Sequence, residues 1–68
     1  MQTKYNIVNL NHTVQLWFGT LCYTFPKGQY DKNEIRSTIR NYCTRKGAFS
    51  EEETESIIKQ TLRACSSN

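Results

Sequence analysis

The chain is poor in apolar residues and contains no long apolar run. Its 68 residues are 37% hydrophobic, and no apolar stretch exceeds three residues. An average globular domain holds roughly 45–50% apolar residues, and a membrane span needs about 20 in a row. The length also excludes a two-domain enzyme. We therefore expect a single small domain over residues 1–68, with no membrane segment, and such short domains commonly need a disulfide, a metal or a partner chain.

The cysteines lack the spacing of a disulfide framework or of a metal site. Cys22, Cys43 and Cys65 are odd in number, and none belongs to the C-x-x-C pairs that zinc sites use. We predict that each lies on the apolar face of its own element as a small hydrophobe, and that the chain holds no metal and no cofactor. The first residues lack the apolar core of a signal peptide, so we expect a cytoplasmic protein.

Residues that carry catalysis are also few. His12 is the only histidine and Asp31 the only aspartate. His12 falls in a predicted turn with no carboxylate nearby in sequence, and Asp31 suits a helix N-cap. The three glycines are isolated from one another, which excludes a glycine-rich phosphate loop. Because an enzyme needs a base, a nucleophile or a metal in a concave site, we predict a protein without catalytic activity.

The first half of the chain has the pattern of β-strands. Residues 5–10 are rich in strand formers, and residues 13–18 alternate between apolar and polar types. Gly19 and Thr20 form either a two-residue hairpin turn before a third strand, 21–25, or a bulge within one long strand. We prefer the three-stranded meander, because an isolated two-stranded hairpin is only marginally stable. The alternation places these residues on opposite faces: Val14, Leu16 and Phe18 towards the core, and Thr13, Gln15 and Trp17 away from it.

The second half predicts two helices. The first spans residues 31–46, with Asp31 as N-cap and Gly47 as its stop, and the second begins at Ser50 with Glu53 three positions later, the spacing of a capping box. The predicted fold is α+β, a small antiparallel hairpin or three-stranded meander followed by a two-helix hairpin. The apolar positions of the two helices are Ile35, Ile39, Tyr42 and Cys43, then Ile57, Ile58, Thr61, Leu62 and Cys65.

Trp17 and a row of basic residues are the candidate binding features. Tryptophan is enriched at interface hot spots, so a tryptophan on a polar sheet face predicts a contact surface. The alternative is a bulge that turns Trp17 inward, or a helix packed over it. The basic row, Lys32, Arg36 and Arg40, has helical i, i+4, i+8 spacing and is either a solvated face or a phosphate-binding ridge. The predicted partner-binding residues are Trp17, Gln15, Tyr5, Tyr30, Lys32, Arg36 and Arg40.

The segment from Thr20 to Cys65 resembles ribbon-helix-helix repressors in the order of its elements. A strand, a helix, a hinge that begins at Gly47 and ends at Ser50, and a second helix follow one another over about two-thirds of the chain. In that family a strand from each of two chains pairs into a ribbon that lies in the DNA major groove. The resemblance implies a dimeric DNA- or RNA-binding regulator.

Size, charge and the lack of a cofactor motif favour a different function. Small basic proteins of this kind, here with a net charge of +3, resemble accessory proteins of bacteriophages and mobile elements. Many of those inhibit or redirect a host enzyme or defence complex. Our leading prediction is a protein that docks on a larger protein or nucleoprotein through the Trp17 surface and modulates it. A homodimer that buries Trp17 would also enlarge a small core.

Overall fold

The fold is an antiparallel sheet followed by a helical hairpin. The computed structural model describes residues 4–66. The strands are β1 (Asn6–Asn9), β2 (Thr13–Phe18) and β3 (Leu21–Pro26), and the helices are α1 (Lys32–Lys46) and α2 (Glu51–Ser66). The sheet order is β1-β2-β3, which confirms the predicted α+β fold and its three-stranded alternative. No helix in this part of the chain is long and apolar enough to cross a membrane.

The segment between β2 and β3 shows which of the two predicted alternatives, a hairpin turn or a bulge, is present. Gly19 is the first of the two turn residues and has a φ of 64°. Thr20, the second turn residue, does not have a positive φ, and positive φ at the first residue alone is the mark of a type II′ turn, whose twist matches that of the flanking strands. The pairing runs without interruption from Phe18↔Leu21 to Thr13↔Pro26. Gly19 therefore reverses the chain, and the bulge alternative is wrong.

One face of the sheet packs against both helices. Val14, Leu16 and Phe18 are no more than 5% exposed, which confirms the face predicted from their alternation. The Phe18 ring stacks on Tyr42 of α1 with the ring centroids 4.0 Å apart. The core thus lies between sheet and helices, and its buried apolar members are Val14, Leu16, Phe18, Phe25, Ile35, Ile39, Cys43, Ile57, Ile58 and Cys65.

The predicted caps fix the helix ends. Asp31 accepts a hydrogen bond from the backbone N–H of Asn33 at 2.9 Å. Ser50 and Glu53 form a reciprocal capping box: the backbone N–H of Ser50 donates to Glu53 at 2.9 Å, and that of Glu53 donates to Ser50 Oγ at 3.1 Å. Gly47 has a φ of 67° and ends α1. The short segment between Gly47 and Ser50 therefore connects the two helices as a hairpin.

The cysteine prediction is right for two positions and wrong for the third. Cys43 and Cys65 are buried in the core, and burial raises the pKa of both thiols. Cys22 is half-buried and lies opposite Trp17 in the β2–β3 pairing. It therefore lies on the face away from the core, because the two-residue turn sets the register that pairs it with Trp17.

Candidate functional site

The sheet face that points away from the helices is the candidate site, and we call it the outer face. The strand register makes its residues neighbours: Trp17 lies opposite Asn6 on β1 and Cys22 on β3. None of its side chains is acidic, basic or a histidine. Its members are Asn6, Val8, Thr13, Gln15, Trp17, Cys22, Thr24 and Pro26.

Trp17 lies near the end of the central strand, and a hydrogen bond to a neighbour on the same face restrains its side chain. Its indole Nε1 donates a hydrogen bond to the Gln15 Oε1 at 3.2 Å, and both side chains are half-buried. The core contacts of both helices lie on the opposite face of the sheet, so neither α1 nor α2 covers Trp17. The structure confirms that Trp17 and Gln15 share the face away from the core. Their role as contact residues stays a prediction.

Tyr5 and Trp17 meet at one end of the sheet, but the Tyr5 ring packs against the core and does not lie on the outer face. Together with Asn6 and Gly19, these residues line an open depression of about 250 Å³. The Tyr5 hydroxyl accepts a hydrogen bond from Gln60 Nε2 of α2 at 2.9 Å. That bond holds the Tyr5 side chain on the helix side of the sheet, so the prediction that Tyr5 belongs to the Trp17 surface is wrong.

Tyr30 and Lys32 lie apart from Trp17. Tyr30 is half-buried against the core from the loop before α1, and Lys32 is exposed at the first position of that helix. Since α1 lies on the core side of the sheet, the structure does not bring these two residues to the outer face. Their predicted partner-binding role would need a second contact surface.

Arg36 and Arg40 point to α2 and contact its first turns. Arg40 Nη1 lies 2.9 Å from Glu51 Oε2, and its Nη2 contacts Glu55. Arg36 Nη1 lies 3.6 Å from Glu55 Oε1. The hydrogen bond to Glu51 is the main cause that raises the pKa of Arg40. We call these four residues the charge seam, and it offsets two of the charges in the predicted basic row.

The sequence contains a signal for the charge seam that is visible only when the two helices are compared with each other. Glu51 and Glu55 have the same i, i+4 spacing as Arg36 and Arg40. In an antiparallel helical hairpin, two such rows face each other across the contact. The acidic cluster and the basic row are therefore two halves of one feature.

The groups with catalytic or metal-binding chemistry are dispersed. His12 is exposed in the turn between β1 and β2. The two buried cysteines have raised pKa values, which favours the thiol over the nucleophilic thiolate. Within residues 4–66, no three His, Cys, Asp or Glu side chains come together as a metal site would require.

Comparison with known proteins finds no matching family model, no similar curated protein and no similar solved structure. The ribbon-helix-helix resemblance thus rests on element order alone. That order is present as β3, α1 and α2, but β3 pairs with β2 of the same chain. The function has to be argued from the residues themselves.

Proposed function

We propose that this chain is a small non-enzymatic binding protein that docks on a larger protein, free or within a nucleoprotein, and inhibits or modulates it. It would act in the manner of phage and mobile-element accessory proteins. The observation that carries the proposal is the outer face, an uncharged sheet surface with Trp17 on its central strand and no described helix over it.

The chemistry of the outer face favours a protein surface of low charge as the partner. Nucleic acid is bound largely through lysine and arginine contacts to phosphate, and the outer face contains neither. Protein interfaces have cores that are rich in aromatic residues and depleted in charge. Trp17 surrounded by neutral amides and hydroxyls fits that description.

Trp17 is suited to be the anchor because its orientation is already fixed. Ordering a free side chain on binding costs about 0.5–1.5 kcal/mol. The hydrogen bond to Gln15 and the position on the central strand restrict the indole before any partner arrives. Most of the contact energy of the ring is then available for binding.

The size of the face indicates a partner that reaches beyond it. Strands lie about 4.8 Å apart and rise about 3.3 Å per residue, so three short strands present a flat area of about 200–300 Å². A stable interface buries about 800 Å² on each partner. Docking therefore extends over the depression beside Tyr5 or onto a sheet edge, and inhibition would follow from covering a site on the larger partner.

The nucleic-acid regulator is the alternative that the experiment must separate. Its basic row is partly neutralised, because Arg36 and Arg40 pair with glutamates of α2. Lys32 makes no ion pair within residues 4–66 and is exposed on the helix side. Lys32→Ala is therefore the matched control for Trp17→Ala, since it removes one exposed side chain remote from the outer face.

The test is capture of partners by the tagged full chain, with and without nuclease, followed by rebinding to the purified partner. We expect a nuclease-resistant partner that Trp17→Ala loses and Lys32→Ala retains, with the far-UV circular dichroism of both variants unchanged. A site with 6–10 phosphate contacts loses about 10³–10⁵-fold in affinity between 50 and 200 mM salt. Such a salt response, or loss with Lys32→Ala but not Trp17→Ala, would replace our proposal by the regulator.

A further inference from the structure

We propose that the free edge of β3 pairs with the same edge of a second copy of the chain, which forms a continuous six-stranded antiparallel sheet. The inference concerns an edge rather than the outer face, so it does not rest on the proposed function. It assigns the second copy as the occupant of the edge, from the backbone pattern, the charge and the exposed residues of β3.

Among residues 4–66, the backbone pattern of β3 leaves hydrogen-bonding groups without a partner at its outer edge. In a two-residue hairpin, the pair that flanks the turn exchanges both backbone bonds, and every second residue after it does the same. The bond from the Lys27 N–H to the His12 carbonyl at 2.9 Å continues this series, which begins at Leu21. The N–H and C=O groups of Cys22 and Thr24 therefore point away from β2.

This edge lacks most of the features that keep edge strands apart. Natural edge strands are protected by lysines, bulges, prolines or short length. β3 has six residues, no charged side chain, no bulge, and its proline only at the last position. The opposite edge, β1, has four residues. Self-pairing sets a strand against its own copy, where like charges would repel, so an uncharged strand is what self-pairing requires.

One register of the β3–β3 pairing gives the outward N–H and C=O groups of Cys22 and Thr24 hydrogen-bond partners and also covers Leu21. With Tyr23 at the two-fold axis, Cys22 lies opposite the partner's Thr24, and four backbone hydrogen bonds form. Leu21, which is 44% exposed, then lies opposite the partner's Phe25. A shift of two residues towards the strand end would leave Leu21 beyond the partner's strand and would use Pro26, which has no N–H to donate.

The dimer would enlarge the docking surface as well as the sheet. Antiparallel strands related by a two-fold axis perpendicular to the sheet keep the same face on the same side. Both helical hairpins would then lie on one side, and the two outer faces would join through Cys22 and Thr24 of each chain. The joined face would double the area and present Trp17 twice.

The first test is sedimentation equilibrium of the purified full chain over a range of concentrations. Thr24→Pro removes an outward N–H without breaking a bond to β2, and edge strands tolerate proline at such positions. Thr24→Val, which keeps the N–H, is the matched control. We expect a monomer–dimer equilibrium for the wild type and Thr24→Val, and a monomer for Thr24→Pro. A wild type that stays monomeric, which would leave the edge for a strand of another protein, overturns the inference.

A second test does not depend on the proline variant folding. In the proposed register, residue 24 of one chain and residue 24 of the other are diagonal neighbours, about 7–8 Å apart. Thr24 is exposed, so Thr24→Lys and Thr24→Glu should each fold. We expect each variant alone to dimerise roughly two- to five-fold more weakly than wild type, and an equimolar mixture to recover. A mixture that behaves as the average of its components overturns the register.

Discussion

The two buried threonines of α2 should respond in opposite directions to the same substitution. Thr61 is fully buried, and its hydroxyl has no hydrogen-bond partner among residues 4–66. Thr54 is 5% exposed, and its hydroxyl donates to the Ser50 carbonyl at 2.9 Å. Valine has nearly the shape of threonine and a similar helix propensity. Threonine to valine therefore isolates the effect of the hydroxyl at each position.

The magnitudes follow from whether the hydroxyl is paired. A buried polar group without a partner costs about 1–3 kcal/mol, so Thr61→Val should raise the free energy of unfolding by about that amount. Thr54→Val removes a made bond, whose net contribution is about 0.5–1.5 kcal/mol. The Ser50 carbonyl still accepts from the Thr54 backbone N–H at 2.9 Å, so it is not left unpaired, and the loss should stay in that range.

Urea unfolding followed by far-UV circular dichroism measures both variants at one low protein concentration, which removes any contribution from association. A chain this small has an m-value of about 1 kcal/mol/M, so the midpoints should move by about 1 M in opposite directions. In thermal unfolding, 1 kcal/mol corresponds to about 4–8 °C. If Thr61→Val lowers the midpoint as Thr54→Val does, the Thr61 hydroxyl is paired in solution and the packing of α2 described above is wrong.

Two further predictions concern titratable groups. The hydrogen bond from the backbone N–H of Ser50 is the main cause that lowers the pKa of Glu53 from its ordinary 4.5. The Glu53 carboxylate therefore contributes fully to stability above about pH 4.5, and this contribution is lost as the pH falls through the lowered pKa. We expect the free energy of unfolding of Glu53→Gln, measured by acid titration, to fall less steeply with decreasing pH than that of the wild type. The thiols should divide by exposure: one equivalent of a thiol reagent should react with the native chain at Cys22, and Cys43 and Cys65 should react only in denaturant. Reaction that persists in Cys22→Ser would contradict their burial.

The parts of the fold that the sequence predicts are those set by short-range signals. The alternation of β2 requires only the two-residue period of a strand, so the opposite faces of Leu16 and Trp17 follow once β2 is recognised. The cap at Ser50 involves residues three positions apart, and the positive φ at Gly19 involves one. Each of these signals involves only a few consecutive residues of one strand, one cap or one turn.

The parts that the sequence does not predict depend on how elements align with each other. The face of Cys22 changes with the length of the preceding turn, because a shift of one residue moves a whole strand to the other face. The pairing of Arg36 and Arg40 with α2 depends on the hairpin register, which no single helix reveals. The sequence predicts the correct face for Trp17, but it also groups Tyr5, Tyr30 and Lys32 with it. Those three lie outside β2, and their side of the sheet depends on how the helices pack.

The distribution of charge is what separates the two candidate functions. All nine basic and six acidic residues lie outside the outer face, and the arginines of the charge seam already have glutamate partners. The net charge of +3 can raise the rate of encounter with an acidic partner and favours solubility, while the contact itself would be made by neutral groups. Salt should then slow association and leave dissociation nearly unchanged, because screening acts on long-range attraction and not on a desolvated indole. For binding through phosphate contacts, the logarithm of the affinity would instead fall linearly with the logarithm of the salt concentration, with a slope proportional to the number of contacts.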